Sequence, residues 1–416
     1  MTIYDSIPDT RALDILRIGH KGDGETAEGI YVPFTVPGDR VKVEVEGDRG
    51  KLINIISPGP SRTKPPCKHF TICGGCVLQH LEADAYREWK RDQIVQALAQ
   101  RGIANVDIAP LVTIPPRTRR RAVLTAKLVE GAVMIGFQER GSHHIVDMAE
   151  CHVLHPDLFA LVAKLRVALA PVLPEHARAE IDVMRGDNGI DMSIGVGRLA
   201  LDGALRTRLA TFAATLGLAR LTINGELIAQ SHAPVIRWAG AEVTPPPGSF
   251  LQAVPEAERA LQDLVVEGVG PAKRTADLFS GCGTFAFALA QRSAVAAFDS
   301  EADAIAALTA AARNAKGLKP ITAERRDLFR RPLQPRELDA FDAAIIDPPR
   351  AGAKAQSEQL ALSKVRRIVA VSCAPATFAR DARILIDGGY TLTRVTPIDQ
   401  FLWTPHIELA ALFERK

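Results

Sequence analysis

TADLFSGCGTFAFALAQRSAVAAFDS, from Thr275 to Ser300, decides the fold. Its first five residues, TADLF, read as a short strand, SGCGTF (Ser280 to Phe285) as a turn of small residues, and FAFALAQR as an apolar helix. AVAAFDS then reads as a second strand that ends in Asp299. Strand, glycine turn and helix form the opening unit of a doubly wound α/β sheet. In such sheets the turn faces a nucleotide, and an acid at the end of the second strand meets the ribose diol. Gly281 and Gly283 have no Cβ, so the backbone there can approach a ligand closely. A dinucleotide fingerprint is G-x-G-x-x-G, and its third position is Ala286 here. That departure counts against a nicotinamide cofactor. It suits S-adenosylmethionine, which carries an adenosine but no pyrophosphate. Taken alone, the same turn is also an ordinary strand-to-helix connection, so the downstream segments decide its meaning.

Two such segments stand further along the chain. IIDPPRAG (Ile345 to Gly352) precedes VSCAPATFARD (Val371 to Asp381), and the latter places a cysteine just past the apolar run Ile368 to Val371. These read as two strand ends opening into one cleft, where open α/β sheets bind their ligands. Cys373 is therefore a candidate nucleophile, against the plainer reading of a small buried hydrophobe with an inert thiol. Asp-Pro-Pro alone is a rigid turn. Followed by an aromatic residue it marks methyltransferases that act on exocyclic amines of a flipped base; Arg350 stands there instead and favours carbon methylation. Glu408, in HIELAALF, is by default a strand-end carboxylate, and Cys282 a packing residue inside the turn.

Nearer the start, CKHFTICGGC supplies Cys67, Cys73 and Cys76, and AECHVLHP supplies Cys151. Four thiolates in a C-x5-C-x2-C…C arrangement suit tetrahedral zinc or an iron–sulfur cluster, and the spacing does not choose between them. The first gap is too long for the C-x3-C-x2-C triad of radical enzymes. His69, His80 and His152 flank the set as neighbours.

DLFSGCGTF, FDSE, RRDLF, IIDPPRAG, VSCAPATFARD and HIELAALF together resemble the RNA 5-methyluridine (uracil-C5) methyltransferase family. The N-terminal segment and the cysteines are most similar to the branch acting on 23S ribosomal RNA, with a TRAM domain and a 4Fe–4S cluster. The resemblance implies an α/β fold: a Rossmann-like class I S-adenosylmethionine methyltransferase domain, an N-terminal OB-like β-barrel (TRAM), and a central α/β insert carrying the cluster. It implies methylation of carbon-5 of a uridine in RNA. Carbon-5 is a poor nucleophile, so Cys373 is expected to add to carbon-6 first, and Glu408 to remove the carbon-5 proton after transfer. Gln252, Phe279, Thr284, Asp299, Asp327 and Asp347 fall on positions that contact the cofactor in the family. The resemblance turns the choice at Cys67, Cys73, Cys76 and Cys151 toward the iron–sulfur cluster, with a structural or RNA-contacting role. The chain departs from the family pattern at Ala374, Val254 and Thr284, where asparagine is usual. The same reaction on transfer RNA is the nearest other reading. A non-catalytic iron–sulfur RNA-binding protein is another, and the presence of both Cys373 and Glu408 argues against it.

Composition fits this assembly. The chain has 416 residues, enough for two or three domains, and aromatic residues make up 5%, so the cores must rely on Ala, Leu, Val and Ile. Residues 1–58 read as the barrel, 59–244 as the central RNA-binding domain with a helix over 81–102 packed on the catalytic domain, and 245–416 as the catalytic domain. Between 155 and 240, IDVMRG, DMSIGVG and LTINGELIAQS suggest antiparallel strands with an Ala-rich helix between them, and PGPSRTKPP (Pro58 to Pro66) suggests a stiff linker. No secretory signal or long apolar span is apparent and six cysteines suit a reducing compartment, so a cytoplasmic, membrane-free monomer is expected. A net charge of +3 makes no general polycation. RNA affinity is therefore expected from local patches, first among them Arg119, Arg120 and Arg121 in IPPRTRRRAVLTAKL.

Overall fold

The computed structural model describes residues 9–197, 199 and 201–415. An eight-stranded sheet holds the second half of the chain, in the order Ile321–Arg325, Ala294–Asp299, Arg274–Leu278, Ala343–Ile346, Arg367–Ser372, Glu408–Glu414, Thr391–Ile398 and Asp107–Ile108. The first five are parallel, and Glu408–Glu414 runs antiparallel to both of its neighbours. Ala343–Ile346 is buried along its whole length, as expected of short apolar runs covered by helices on both faces. Pro255–Val269 covers one face through Ala257, Leu261 and Val265, and Pro375–Asp387 covers the other through Phe378, Ala382 and Leu385. The chain winds outward in one direction from Arg274–Leu278 and then in the other from Ala343–Ile346. The crevice of such a sheet lies at that switch, beyond the carboxyl ends of these two strands.

The N-terminal strands Asp9–Ile18, Gly24–Thr26, Tyr31–Val32, Arg49–Ser57 and Arg40–Glu46 close into a barrel around Leu13, Ile15, Ile30, Val32, Val41 and Val43. Strict alternation in RVKVEVE puts Val41 and Val43 inside, with lysine and glutamate outside. The segment after the barrel is not a free linker. Gly59 donates its N–H to Asp39 at 2.8 Å, and Arg62 pairs with the same carboxylate, because a buried Asp39 must find donors.

Between barrel and catalytic sheet lies a six-stranded sheet in the order Glu226–Gln230, Leu218–Ile223, Ile190–Val196, Arg178–Arg185, Arg121–Val129 and Ala132–Gly136. Helices Pro156–Leu169 and Gly203–Leu216 bury Leu161, Leu165, Leu209 and Phe212 in its core. The expected all-antiparallel arrangement fails at one pair: Ile190–Val196 and Leu218–Ile223 are parallel. The Ala-rich helix makes the crossover that a parallel pair requires. Asp202 caps its start by accepting from Leu205 N at 2.7 Å, and Gly217 ends it in the left-handed region.

Helix Ala83–Ala99 touches both ends of the molecule. Tyr86 and Trp89 pack with Ile18 and Leu78, whereas Ile94 and Leu98 join the catalytic core. Lys90 between them has no exposed surface and forms an ion pair with Asp399 at 2.8 Å. Among the described residues, no helix is long and apolar enough to cross a membrane. Removing one partner of a buried ion pair strands the other charge, so Lys90→Met should destabilise the protein by about 3–5 kcal/mol. Adding Asp399→Asn should restore part of the loss. Urea unfolding of the single and double variants measures both.

Candidate active site

Strand register brings the two expected catalytic side chains together. Ser372 pairs with Leu409 across the antiparallel ladder, so the next position outward sets Cys373 opposite Glu408. On the other side, Ile346 pairs with Leu278 and Ala370, and Asp347 comes directly after it. Glu408 is buried, Cys373 half-buried, and Asp347 partly accessible from the cleft. Gln252, on the segment before Pro255–Val269, completes a polar chain. Gln400 donates from Nε2 to Glu408 Oε2 at 2.6 Å and to Gln252 Oε1 at 2.7 Å, and Gln252 Nε2 reaches Asp347 Oδ2 at 3.5 Å. Gln400 Oε1 in turn accepts from Ala253 N at 3.2 Å.

Burial pushes the Cys373 thiol up to about 11, with Glu408 and Asp347 adding repulsion and Arg350 opposing them as a cation and hydrogen-bond donor. Glu408 is held well above the ordinary carboxylate range by burial and by Asp347, against the Gln400 hydrogen bond and Arg350. Asp347 is pushed up to about 7 by burial and then by Asp299. Beneath the glycine turn lies Asp277, fully buried, with no side-chain hydrogen-bond partner; burial, Asp347 and Asp299 carry it to about 8. None of Glu408, Asp347, Asp277 and Asp299 is in an ion pair among the described residues. Burial thus disfavours the charged forms of Cys373, Glu408, Asp347 and Asp277, and a cationic ligand in the cleft would favour them.

The cofactor side is assembled from the glycine turn. Gly281 has φ +53° with open space where a Cβ would stand, whereas a Cβ at Gly283 would meet Phe287 at 2.7 Å, so backbone strain at the first and a steric clash at the second both favour glycine. Asp299 accepts from Gly281 N at 2.8 Å and Glu301 N at 2.9 Å, which fixes its carboxylate at the strand end. Phe279 is held at φ +66°, a strained conformation for an aromatic residue, and its ring lies 5.3 Å from that of Phe329. Asp327 accepts from Phe329 N and Arg330 N on the neighbouring loop. Thr284 opens the short helix Thr284–Leu289, and its carbonyl accepts from Gln262.

The cysteines also converge. Cys67, Cys73, Cys76 and Cys151 line one pocket with Phe70, Phe137 and Met148, and none is in a disulfide. Burial raises the thiols of Cys67 and Cys73 and takes Cys76 to about 12. Among the described residues, no group of three or more His, Cys, Asp or Glu side chains is arranged to hold a single metal ion. Arg119 lines the same pocket. Its Nε donates to Arg121 O at 2.9 Å, and it is in no ion pair among the described residues.

The other two arginines of that run also have partners within the protein. Arg120 is buried and donates to Glu258 Oε2 at 2.6 Å, with Trp238 Nε1 on the other carboxylate oxygen at 2.8 Å. Arg121 pairs with Asp182 at 2.8 Å across the central sheet, and Arg119 faces the cysteines. These contacts form where the run leads into the strand Arg121–Val129. Two residues of the cleft were not singled out from the sequence. Gln400 sits in an irregular connection. Asp277 had one usable signal, a carboxylate between Ala276 and Leu278 in a buried strand.

Residues 248–416 match the family described as tRNA (Uracil-5-)-methyltransferase. A protein of Brucella suis described as an uncharacterized RNA methyltransferase is 45% identical over 410 residues, covering 98% of each chain. The 23S rRNA (uracil(1939)-C(5))-methyltransferase RlmD of Chromohalobacter salexigens is 32% identical, covering 97% of this chain and 89% of its own. The chain belongs to the RNA (uracil-5-)-methyltransferase family. This methyltransferase also shares its fold with a solved structure, the Pyrococcus abyssi tRNA (uracil-54, C5)-methyltransferase in complex with S-adenosyl-L-homocysteine. The TM-score is 0.75 at 24% identity, over 97% of this chain and 100% of that one.

The raised acid at Asp347 fixes the sign of a pH effect. The folded methyltransferase holds this proton to higher pH than the unfolded chain does. Its stabilising contribution is therefore complete below the ordinary carboxylate range and is lost as pH rises to about 7. Asp347→Asn abolishes the ionisation, so it should stabilise the ligand-free protein more at about pH 8 than at about pH 5. Thermal unfolding of wild type and variant at both values gives the comparison.

Proposed function

We propose that the enzyme methylates carbon-5 of a uridine in 23S ribosomal RNA, with S-adenosylmethionine as methyl donor and Cys373 and Glu408 as nucleophile and base. The observation that carries this reading is the register that sets Cys373 opposite Glu408 at the mouth of the sheet crevice. Cys373 Sγ adds to carbon-6 of the uracil, and the electron pair moves to the carbon-4 oxygen as an enolate. Carbon-5 then takes the methyl group from the sulfonium, leaving S-adenosylhomocysteine. Glu408 removes the carbon-5 proton, the carbon-5 to carbon-6 double bond re-forms, and the Cys373 thiolate is expelled.

Before it adds, the resting thiol gives its proton to solvent, to which the half-buried Cys373 is open. Arg350, together with the positive charge of the bound donor, favours the thiolate and the ionised carboxylates. Gln252, Phe279, Thr284, Asp299, Asp327 and Asp347 are proposed to hold the donor around the glycine turn. Support for ribosomal RNA comes from the relative RlmD, whose similarity spans nearly the whole chain, barrel and cysteine segments included. The barrel is proposed to be a TRAM-type RNA-binding module.

We propose that Cys67, Cys73, Cys76 and Cys151 hold a 4Fe–4S cluster. Four thiols outside any disulfide line one space, and Arg119 brings a cation that is in no ion pair among the described residues, which suits an anionic group bound through four thiolates. Such a cluster would supply a cross-link between Cys67–Cys76 and Cys151. No step of the methylation passes through it.

The same chemistry on transfer RNA is the competing reading, because the matching family model and the Pyrococcus structure are both named for tRNA. Incubating the enzyme with unmodified ribosomal RNA, unmodified transfer RNA and tritiated donor, then mapping the nucleosides, separates the two. For the mechanism, Cys373→Ala should abolish methyl transfer, whereas Glu408→Gln should transfer and then hold RNA covalently, visible on a denaturing gel. Near-normal methylation by Cys373→Ala would refute the nucleophile assignment. Anaerobically purified protein should contain iron and sulfide, and Cys73→Ser should lose them; zinc on elemental analysis would overturn the cluster.

A further inference from the structure

We propose that residues 399–407, between strands Thr391–Ile398 and Glu408–Glu414, act as a strap that positions Glu408 for proton removal. Tyr86 and the backbone of Val77 and Leu78 hold that strap in place. The inference rests on the reading of Glu408 as the base.

The strap has no regular secondary structure, yet its polar groups are bound from outside at several points. Tyr86 Oη donates to Asp399 Oδ2 at 2.7 Å and accepts from Trp403 N at 2.8 Å. The Trp403 carbonyl accepts from Val77 N at 2.8 Å and Leu78 N at 3.2 Å. Lys90 Nζ donates to Asp399 Oδ1 at 2.8 Å, to Phe401 O at 3.3 Å and to His406 O. Trp403 itself sits at φ +58°, a conformation that is strained for a bulky residue and persists only where the surroundings over-determine it. Both of its backbone polar groups are taken by residues far earlier in the chain, Tyr86 on the N–H and Val77 and Leu78 on the carbonyl.

What the strap delivers is Gln400, whose Nε2 is the one side-chain donor to Glu408 among the described residues. Glu408 is otherwise faced by Asp347, Cys373 and Arg350. Without Gln400 the carboxylate loses a fixed direction and a hydrogen bond that favours its ionised form. Val77 directly follows Cys76, so the cysteine pocket lies one residue from the contacts that hold Trp403. The cysteine segment thereby contributes to the base through backbone hydrogen bonds. Tyr86, Lys90 and Gln400 are positioning residues.

Base and nucleophile act at different steps, and the test uses that difference. Methyl transfer precedes removal of the carbon-5 proton. A displaced Glu408 therefore leaves transfer intact and slows expulsion of the Cys373 thiolate. In single-turnover reactions with the full chain, tritium incorporation reports transfer, and RNA retained on a denaturing gel reports the unresolved adduct. Tyr86→Phe should leave the first unchanged and slow resolution of the adduct roughly 10-fold, the scale of one hydrogen bond to a charged group. Gln400→Met, chosen in case Tyr86→Phe folds poorly, also removes the bond to Gln252 and should slow resolution more than transfer. Its resolution rate should recover as pH rises, because the carboxyl loses a bond that lowered its pKa. Equal slowing of transfer and resolution, or no change in either, overturns the strap. If Glu408→Gln holds the adduct while Tyr86→Phe and Gln400→Met do not, the base stands and the strap alone is wrong. If Glu408→Gln releases RNA at the wild-type rate, the base assignment falls and takes the strap with it.

Discussion

Glu408–Glu414 enters the sheet antiparallel, between Arg367–Ser372 and Thr391–Ile398, and the active site depends on that one insertion. In a wholly parallel sheet, the carboxyl ends of all strands face the crevice and their amino ends face away. An antiparallel strand reverses this and presents its first residue to the crevice. Glu408 reaches Cys373 because it begins its strand, as Cys373 follows the end of the neighbouring one. The same geometry explains why the connection before Glu408 runs across the top of the sheet, where Gln400 can bridge Gln252 and Glu408.

Much of this was legible in the chain. The central strands are short apolar runs, the turn at Ser280 to Phe285 is written in small residues, and Cys373 and Asp347 each follow a run that can only be a buried strand. Burial on both faces makes such signals strong. The barrel was visible for a related reason, since RVKVEVE alternates as a one-sided strand must. The parallel pairing of Ile190–Val196 with Leu218–Ile223 was not legible, because alternation gives the facing of a strand and not its direction.

The arginine run shows what local reading leaves out. Arg117, Arg119, Arg120 and Arg121 look like a solvent-facing patch, and nothing nearby in sequence reveals that Glu258 and Asp182 wait for two of them. Partners so far apart along the chain cannot be inferred from composition. The buried pairs Arg120–Glu258, Arg220–Asp191 and Lys90–Asp399 share this property. Two of them tie the first half of the chain to the catalytic half: Arg120 through Glu258, and Lys90 through Asp399. Arg220 adds a hydrogen bond to Pro245 O at 2.8 Å. Each pair is costly to bury and far costlier to break, so the relative placement of the two halves is held by directional contacts.

The outermost catalytic strand carries a different consequence. Thr391–Ile398 is covered on its free side by Asp107–Ile108, a two-residue strand supplied from far upstream, and by the bond from Val112 N to Pro397 O at 2.9 Å. That short piece of chain acts as a guard for the sheet. A catalytic half expressed by itself would leave a flat row of unpaired backbone groups along Thr391–Ile398, and such rows recruit strands from other molecules. The dependence of the catalytic sheet on the residues before it is thus also a protection against self-association, and it gives a physical reason for keeping the two halves in one polypeptide.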